Sequence, residues 1–145
     1  MALIEYADAS AEVRAVFDDI KAARGVADVN NFWKALAVHP PTLKRTWESL
    51  KQVMAPGALD PLTKEMLYLA ASATAGCAYC TASHTAAARA KGMTEAMHGE
   101  LLAVLGMAAE TNRLAEALRV PIDPGFRQQK TPEVARRGFF WSGQP

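Results

Sequence analysis

Residues 60–92 read DPLTKEMLYLAASATAGCAYCTASHTAAARAKG, and this segment carries the clearest fold signal in the sequence. Asp60-Pro61 is typical of a helix start, with an N-cap residue followed by a proline in the first turn. Gly76 interrupts the helical pattern, and Gly92 stands where a glycine commonly follows the last turn of a helix. The stretch therefore predicts two helices that meet at Gly76, the second beginning near Cys77.

The remainder of the chain is predicted to be helical as well, because it is rich in Ala, Leu and Met and few stretches alternate with period two. Ser10 and Thr94 are predicted N-caps, and Gly25 is predicted to follow the first helix. These further helices are predicted at about residues 11–24, 31–38, 42–54, 94–105 and 108–118.

We predict an all-α, single-domain fold over residues 1–145, with the core that bears the motif at about residues 31–120. The segment 121–145 holds several prolines and glycines and is predicted to be an extended tail. Its aromatic end, Phe139-Phe140-Trp141, is expected to pack on the body or on a neighbouring subunit.

Composition excludes several classes of function. The chain has 145 residues, half of them hydrophobic, and a net charge of +1, which fits one globular domain. Its basic residues are scattered, so neither nucleic acid nor a membrane is expected as a partner. No apolar run approaches the ~20 residues of a membrane span, and the N-terminus lacks the pattern of a signal peptide. The expected compartment is the cytoplasm, where paired cysteines are more typical of redox or metal chemistry than of a structural crosslink.

The chemistry is predicted to reside on one face of the second helix. At 100° per residue, Cys77, Cys80 and His84 fall on one narrow stripe, with Cys80 and His84 one turn apart. Dithiol redox chemistry needs one attacking thiolate, one resolving thiol and a nearby base. The helix N-terminus favours ionisation of Cys77 and the imidazole favours ionisation of Cys80, so position alone does not identify the attacking thiol.

Two other interpretations of the cysteines remain open. Cys77, Cys80 and His84 could be three ligands of a zinc ion, with His39, His98 or a carboxylate as the fourth, although no second CxxC is present. Alternatively, both cysteines could be small buried hydrophobic residues.

The sequence resembles the alkylhydroperoxidase AhpD-like family within the carboxymuconolactone decarboxylase superfamily. The family pattern is Glu, eleven residues, Cys-x-x-Cys, three residues, His, which Glu65, Cys77, Cys80 and His84 match at every position. The likeness extends over residues 31–92. It includes the flanking segments Asn31-Phe32-Trp33, His39-Pro40-Pro41-Thr42-Leu43, Ala58-Leu59 and Ala90-Lys91-Gly92.

The resemblance implies an all-α helical bundle that assembles as a homo-oligomer, commonly a trimer or a hexamer, with no cofactor and no bound metal. It implies that hydroperoxides are the substrates and that an external dithiol or a lipoylated protein is the reductant. Under the same pattern, Cys80 would attack, Cys77 would resolve, and His84 with Glu65 would relay the proton. Tyr79 departs from the best-known peroxidase, which has histidine there, and tyrosine is a poor base at neutral pH.

The leading hypothesis is therefore a thiol-dependent peroxidase that reduces alkyl hydroperoxides through a CxxC dithiol–disulfide cycle. One alternative is a thiol–disulfide exchange protein with little peroxidase activity. The other is a non-enzymatic, oligomeric module that senses redox state through Cys77 and Cys80.

Overall fold

The computed structural model describes residues 3–127, and that part of the chain is helical without strands. This confirms the all-α prediction. None of the helices in this part is long and apolar enough to cross a bilayer. The elements are a 3₁₀ turn at Tyr6–Asp8 and the helices α1 (Ala11–Arg24), α2 (Asn31–Leu36), α3 (Pro40–Met54), α4 (Pro61–Thr74), α5 (Ala78–Ala90), α6 (Glu95–Ala117) and α7 (Pro124–Arg127).

The chain divides into two compact units, the first extending to Met93 and the second beginning at Thr94. The first unit contains α1 to α5 and all the residues of the predicted motif. The second unit contains α6 and α7, and no residue of these two helices is buried.

The core of the first unit is formed mainly by α1, α2 and α3. An apolar face of α1 is buried, and it meets two tryptophans whose rings pack edge to face with centroids 5.5 Å apart. Burial of large side chains is the main force that holds such helices together. The residues of this core include Val13, Val16, Phe17, Ile20, Trp33, Leu43 and Trp47.

The predicted helix ends are confirmed where the caps can be checked. The side chains of Ser10, Asp60 and Thr94 each accept a hydrogen bond from the backbone N–H three residues on, at 3.0–3.3 Å. Gly25 follows α1 with φ of 64°, a left-handed conformation that glycine adopts without steric cost.

Helices α4 and α5 form a packed hairpin that carries the motif. Gly76 makes the connection with φ of +70°, and the backbone N–H of Cys77 donates to the carbonyl of Ser72 at 3.0 Å. This turn reverses the chain so tightly that only three residues, Ala75 to Cys77, lie between α4 and α5. The cysteines are consequently held at the start of a helix, as the sequence predicts.

The prediction of two helices at about residues 94–105 and 108–118 is wrong, because α6 runs continuously through Gly106. An isolated glycine weakens a helix interior by about 1 kcal/mol relative to alanine but does not terminate it. Two smaller differences concern α2, which ends at Leu36, and α3, which begins at Pro40 because proline is tolerated in the first turn.

The extended tail predicted for 121–145 is wrong at its beginning, where Pro124 to Arg127 form the short helix α7. Proline at the first position of that helix supplies a backbone dihedral that already suits a helical turn. The aromatic segment Phe139-Phe140-Trp141 lies outside the described residues.

Candidate active site

The two cysteines are free thiols at the N-terminus of α5. Cys77 is the N-cap residue, and its Sγ accepts a hydrogen bond from the backbone N–H of Cys80 at 3.2 Å. Both side chains are half-buried rather than fully enclosed. The interpretation of the pair as small buried hydrophobic residues is therefore wrong.

The two thiols differ in acidity. A hydrogen bond from the Cys80 thiol, assisted by the backbone N–H groups of Cys80 and Tyr79, lowers the pKa of Cys77. The same thiol–thiol hydrogen bond, together with burial, raises the pKa of Cys80. Cys77 is thus the more acidic thiol, which agrees with the expected effect of a helix N-terminus. The expectation that His84 favours ionisation of Cys80 is not met in this reduced state.

Glu65 reaches from α4 to two partners near α5. Its Oε2 lies 2.7 Å from Nδ1 of His84, and its Oε1 accepts from Nζ of Lys91 at 2.9 Å. Only 6% of the residue is exposed, so Glu65 is a buried carboxylate. Burial raises the pKa of Glu65, but the hydrogen bonds from His84 and Lys91 outweigh burial and hold the pKa below its usual value.

His84 is fixed by two contacts. Its ring stacks on Tyr68 with centroids 3.7 Å apart and planes 19° apart. Because an ionised carboxylate occupies Nδ1, that nitrogen carries the proton and donates, and Nε2 is left as the basic atom. Within residues 3–127, Nε2 hydrogen-bonds to no protein group. The arrangement therefore presents a histidine base whose orientation and tautomer are set by Glu65.

Ser72 and Tyr79 both form hydrogen bonds with the backbone near the site. Ser72 is buried, and its hydroxyl donates to the carbonyl of Tyr68 at 2.7 Å. The Tyr79 hydroxyl accepts a hydrogen bond from the backbone N–H of Phe32 at 3.1 Å. The residue between the cysteines thus connects the start of α5 to α2.

A cavity of about 570 Å³ opens beside these residues. Glu65, Cys80 and His84 line it together, whereas Cys77 is not among its lining residues. The structure therefore brings all four predicted site residues into one region, with Cys80 as the cysteine that faces the cavity.

The sequence prediction missed several lining residues with polar side chains, among them Arg24, Tyr68 and Lys91. Tyr68 follows Glu65 by three residues on the same helix face, which is a signal that spacing could have given. Lys91 lies in a flanking segment that resembles the family, and Arg24 had no local signal because α1 is distant in sequence.

A zinc site is not formed by the side chains seen here. No group of three or more His, Cys, Asp or Glu side chains in the described range is arranged to hold a metal ion. His84 has its Nδ1 on Glu65, and His39 has its Nδ1 2.8 Å from the Thr42 hydroxyl.

The lowered pKa of Glu65 predicts a specific loss of stability in acid. A carboxyl group whose pKa is depressed on folding stabilises the protein above its unfolded-state pKa, and this stabilisation is lost as the pH falls through the folded-state pKa. We expect Glu65→Gln to lower the free energy of unfolding by about 2 kcal/mol at pH 7, the size of a hydrogen bond to a charged group. The difference from wild type shrinks as the pH falls below about 4.

Urea unfolding of both proteins from pH 7 to pH 3 measures this difference. The exposed residue Glu48 on α3 supplies the matched control, and Glu48→Gln changes stability little at any pH. A difference between wild type and Glu65→Gln that stays constant with pH would contradict the ionised Glu65 described above.

The first unit is all-helical, and one hairpin carries both the CxxC pair and the carboxylate–histidine pair. Residues 40–123 match the model of the carboxymuconolactone decarboxylase family. The chain therefore belongs to that family.

Two relatives place the chain more narrowly. It is 34% identical over 107 residues to "Alkyl hydroperoxide reductase AhpD" of Solibacter usitatus, a match that covers 72% of this chain and 59% of that protein. It is 53% identical to the crystal structure of the "Alkylhydroperoxidase AhpD core" from Rhodospirillum rubrum, with a TM-score of 0.80 over 88% of this chain and 98% of that one. The chain is an AhpD-like member of the family, and it spans about three fifths of the length of the curated relative.

Proposed function

We propose that this protein is a thiol-dependent enzyme that reduces alkyl hydroperoxides through a disulfide cycle of Cys77 and Cys80. The observation that carries the proposal is the cavity in which Cys80 lies beside a histidine held by a buried carboxylate. The names of the two AhpD relatives support hydroperoxide reduction at the level of the family.

Cys80 is proposed as the attacking thiol because a substrate in the cavity reaches its sulfur first. Cys77 is more acidic, but it is not among the residues that line the cavity. An acidic resolving thiol is useful in the second step, where it must attack as a thiolate. Access therefore favours Cys80 for the first step, and acidity favours Cys77 for the second.

In the first step, the Cys80 proton moves to Nε2 of His84, and the resulting thiolate attacks the terminal oxygen of the hydroperoxide. The O–O bond breaks, a Cys80 sulfenic acid forms, and the alkoxide takes the proton from His84 to leave as an alcohol. The ionised Glu65 stabilises the transient imidazolium, since its oxygen lies 2.7 Å from Nδ1.

In the second step, the Cys77 thiolate attacks the Cys80 sulfur, and the departing hydroxide takes up the proton that the Cys77 thiol released and becomes water. The two electrons that reduce the peroxide thus come from the two thiols, which end as a disulfide. An external dithiol, such as the reduced lipoyl group of a protein, restores both thiols by exchange.

We further propose that the protein acts as a homo-oligomer, a trimer or a hexamer. Helix α6 supports this proposal because apolar side chains along it are exposed, and exposed apolar surface is typical of interfaces between chains. These side chains are Leu102, Val104, Met107 and Leu114.

Thiol–disulfide exchange is a second candidate function, favoured by the lowered pKa of Cys77 at a helix N-terminus. It predicts that the reduced protein reacts faster with a small disulfide than with an organic hydroperoxide. The ratio of these two rates separates the candidates.

Intact mass with a free-thiol count tests the leading proposal. One equivalent of cumene hydroperoxide is expected to consume both thiols and to lower the mass by two hydrogens, without a lasting oxygen adduct. The Cys77→Ser variant serves as the comparison, because it can form the sulfenic acid but cannot resolve it. Two unreacted thiols in the folded wild-type protein would falsify the proposed function.

A further inference from the structure

The cavity extends beyond the cysteines to a cationic end on α1. The Arg24 guanidinium carbon lies 5.5 Å from the ring centroid of Trp33 and 5.5 Å from that of Trp47. Among residues 3–127 it has no ion pair and no hydrogen bond to a protein group.

The other two cations of the cavity lining are already paired. Lys51 contacts Asp19 at 2.6 Å, and Lys91 contacts Glu65 at 2.9 Å. Arg24 is thus the lining cation without a salt bridge among residues 3–127, and Glu65 and Tyr79 act on its charge electrostatically. The guanidinium group also has the planar arrangement of donors that matches a carboxylate.

The Trp33 ring beside Arg24 also lines the cavity, and the residue is almost completely buried, with 1% of it exposed. Its Nε1–H has no hydrogen-bond partner within the described chain, and it is enclosed too closely for a ligand in the cavity to reach it. The Nε1–H of the neighbouring Trp47 donates to Asp19 at 2.6 Å. Recognition of an anion in this part of the cavity therefore depends on Arg24.

An apolar wall joins this cationic end to the cysteines. The Phe32 ring packs edge to face on Trp33 with centroids 5.0 Å apart, and it stacks on Tyr79 with centroids 6.3 Å apart. Tyr79 stands next to Cys80 in the chain, and Leu50 and Met54 add further apolar lining. The cavity therefore has a reactive end, an apolar middle and a cationic end.

We propose that the cavity selects hydroperoxides that carry an apolar body and a carboxylate, with Arg24 binding the carboxylate. This inference rests on the proposed peroxidase function for its reactive end. The two carboxylates nearest the cavity do not repel such a ligand strongly, because Asp19 is paired with Lys51 and Glu65 with Lys91.

Binding of a non-reactive analogue tests the anion site separately from catalysis. Linoleic acid and methyl linoleate have the same apolar body, and only the acid carries a charge. We expect the reduced protein to bind the acid at least about tenfold more tightly, as the difference of one charge-assisted hydrogen-bonded pair would give. Tryptophan fluorescence, recorded below the concentration at which the acid forms micelles, measures both affinities.

Two variants of Arg24 test its role. Arg24→Gln is expected to bring the acid-to-ester ratio of affinities close to one, whereas Arg24→Lys keeps the charge and is expected to retain part of the ratio. Arg45→Gln on the exposed face of α3 is the matched control and leaves the ratio as in wild type.

The hydroperoxides of linoleic acid and methyl linoleate test whether the carboxylate site also affects turnover. Dithiothreitol serves as the reductant. The ratio of kcat/KM for the acid and ester hydroperoxides is expected to follow the ratio of affinities in each variant. Equal affinity of the wild-type protein for acid and ester, or a ratio unchanged by Arg24→Gln, overturns the carboxylate site. Selective binding of the acid without reduction of either hydroperoxide supports the carboxylate site and overturns the peroxidase function.

Discussion

Replacement of Cys80 by serine is expected to abolish hydroperoxide reduction, lowering kcat/KM by at least about 10³-fold, because a serine hydroxyl is not ionised at neutral pH and cannot act as the nucleophile. The fold is expected to survive, since Cys80 contributes its backbone N–H, not its side chain, to the cap of α5. Peroxide consumption with dithiothreitol as the reductant measures the loss, and circular dichroism checks the helix content.

Replacement of Cys77 by serine tests the resolving role of Cys77. Serine is a favoured N-cap residue, so its hydroxyl can accept the Cys80 N–H that the Cys77 sulfur accepts at 3.2 Å. We expect this variant to reduce one equivalent of peroxide and then stop, with a sulfenic acid on Cys80 that dimedone traps.

The opposite pattern would reverse the two roles. A dimedone adduct on Cys77 in the Cys80→Ser variant, with no reaction in Cys77→Ser, would show that the more acidic thiol attacks. Because the pKa of Cys77 is lowered, attack by Cys77 is the competing assignment, and both single variants are needed to decide between the two thiols.

Replacement of His84 by glutamine is expected to lower kcat/KM about 10²- to 10⁴-fold, the usual contribution of a positioned general base. Glutamine retains polar contact with Glu65 but cannot take the proton from Cys80. Peroxide consumption with dithiothreitol as the reductant measures the loss. His98→Gln on α6 is the control, and it is expected to leave kcat/KM unchanged.

The coupling of His84 to Glu65 can be tested in the same series. Since the two side chains act through one hydrogen bond of 2.7 Å, the loss in the double variant with Glu65→Gln should be much less than the product of the two single losses. Independent, multiplicative effects would contradict a relay and would leave Glu65 with a purely structural contact.

Much of the fold could be predicted from the sequence where local rules apply. Apolar positions recur at helical spacing in α1, so its buried face could be predicted, and the starts of α1, α4 and α6 could be predicted from N-cap residues whose side chains bond to the backbone nearby. The prediction failed at Gly106, where a weak helix former was treated as a stop although no cap or proline accompanied it.

The candidate site could likewise be predicted where the pattern is local, but not where it depends on packing between helices. Spacing placed Cys77, Cys80 and His84 on one helix face, and the family pattern added Glu65. Spacing could not show that Glu65 is buried against Lys91, because that depends on how α4 packs against α5. The sequence could not predict that Arg24 and Trp33 line the cavity, since their place there depends on contacts between helices far apart in sequence.

The location of the site within one helical hairpin has a consequence for how the protein folds. Glu65, the cysteines, His84 and Lys91 all belong to the segment from α4 to the end of α5. Contacts between residues close in the chain require little loop-closure entropy, so this hairpin can form before more distant helices are brought together. The reactive end of the cavity is therefore assembled from contacts between residues close in the chain, which form fastest. The cationic end on α1 depends on the slower joining of segments separated by about forty residues or more.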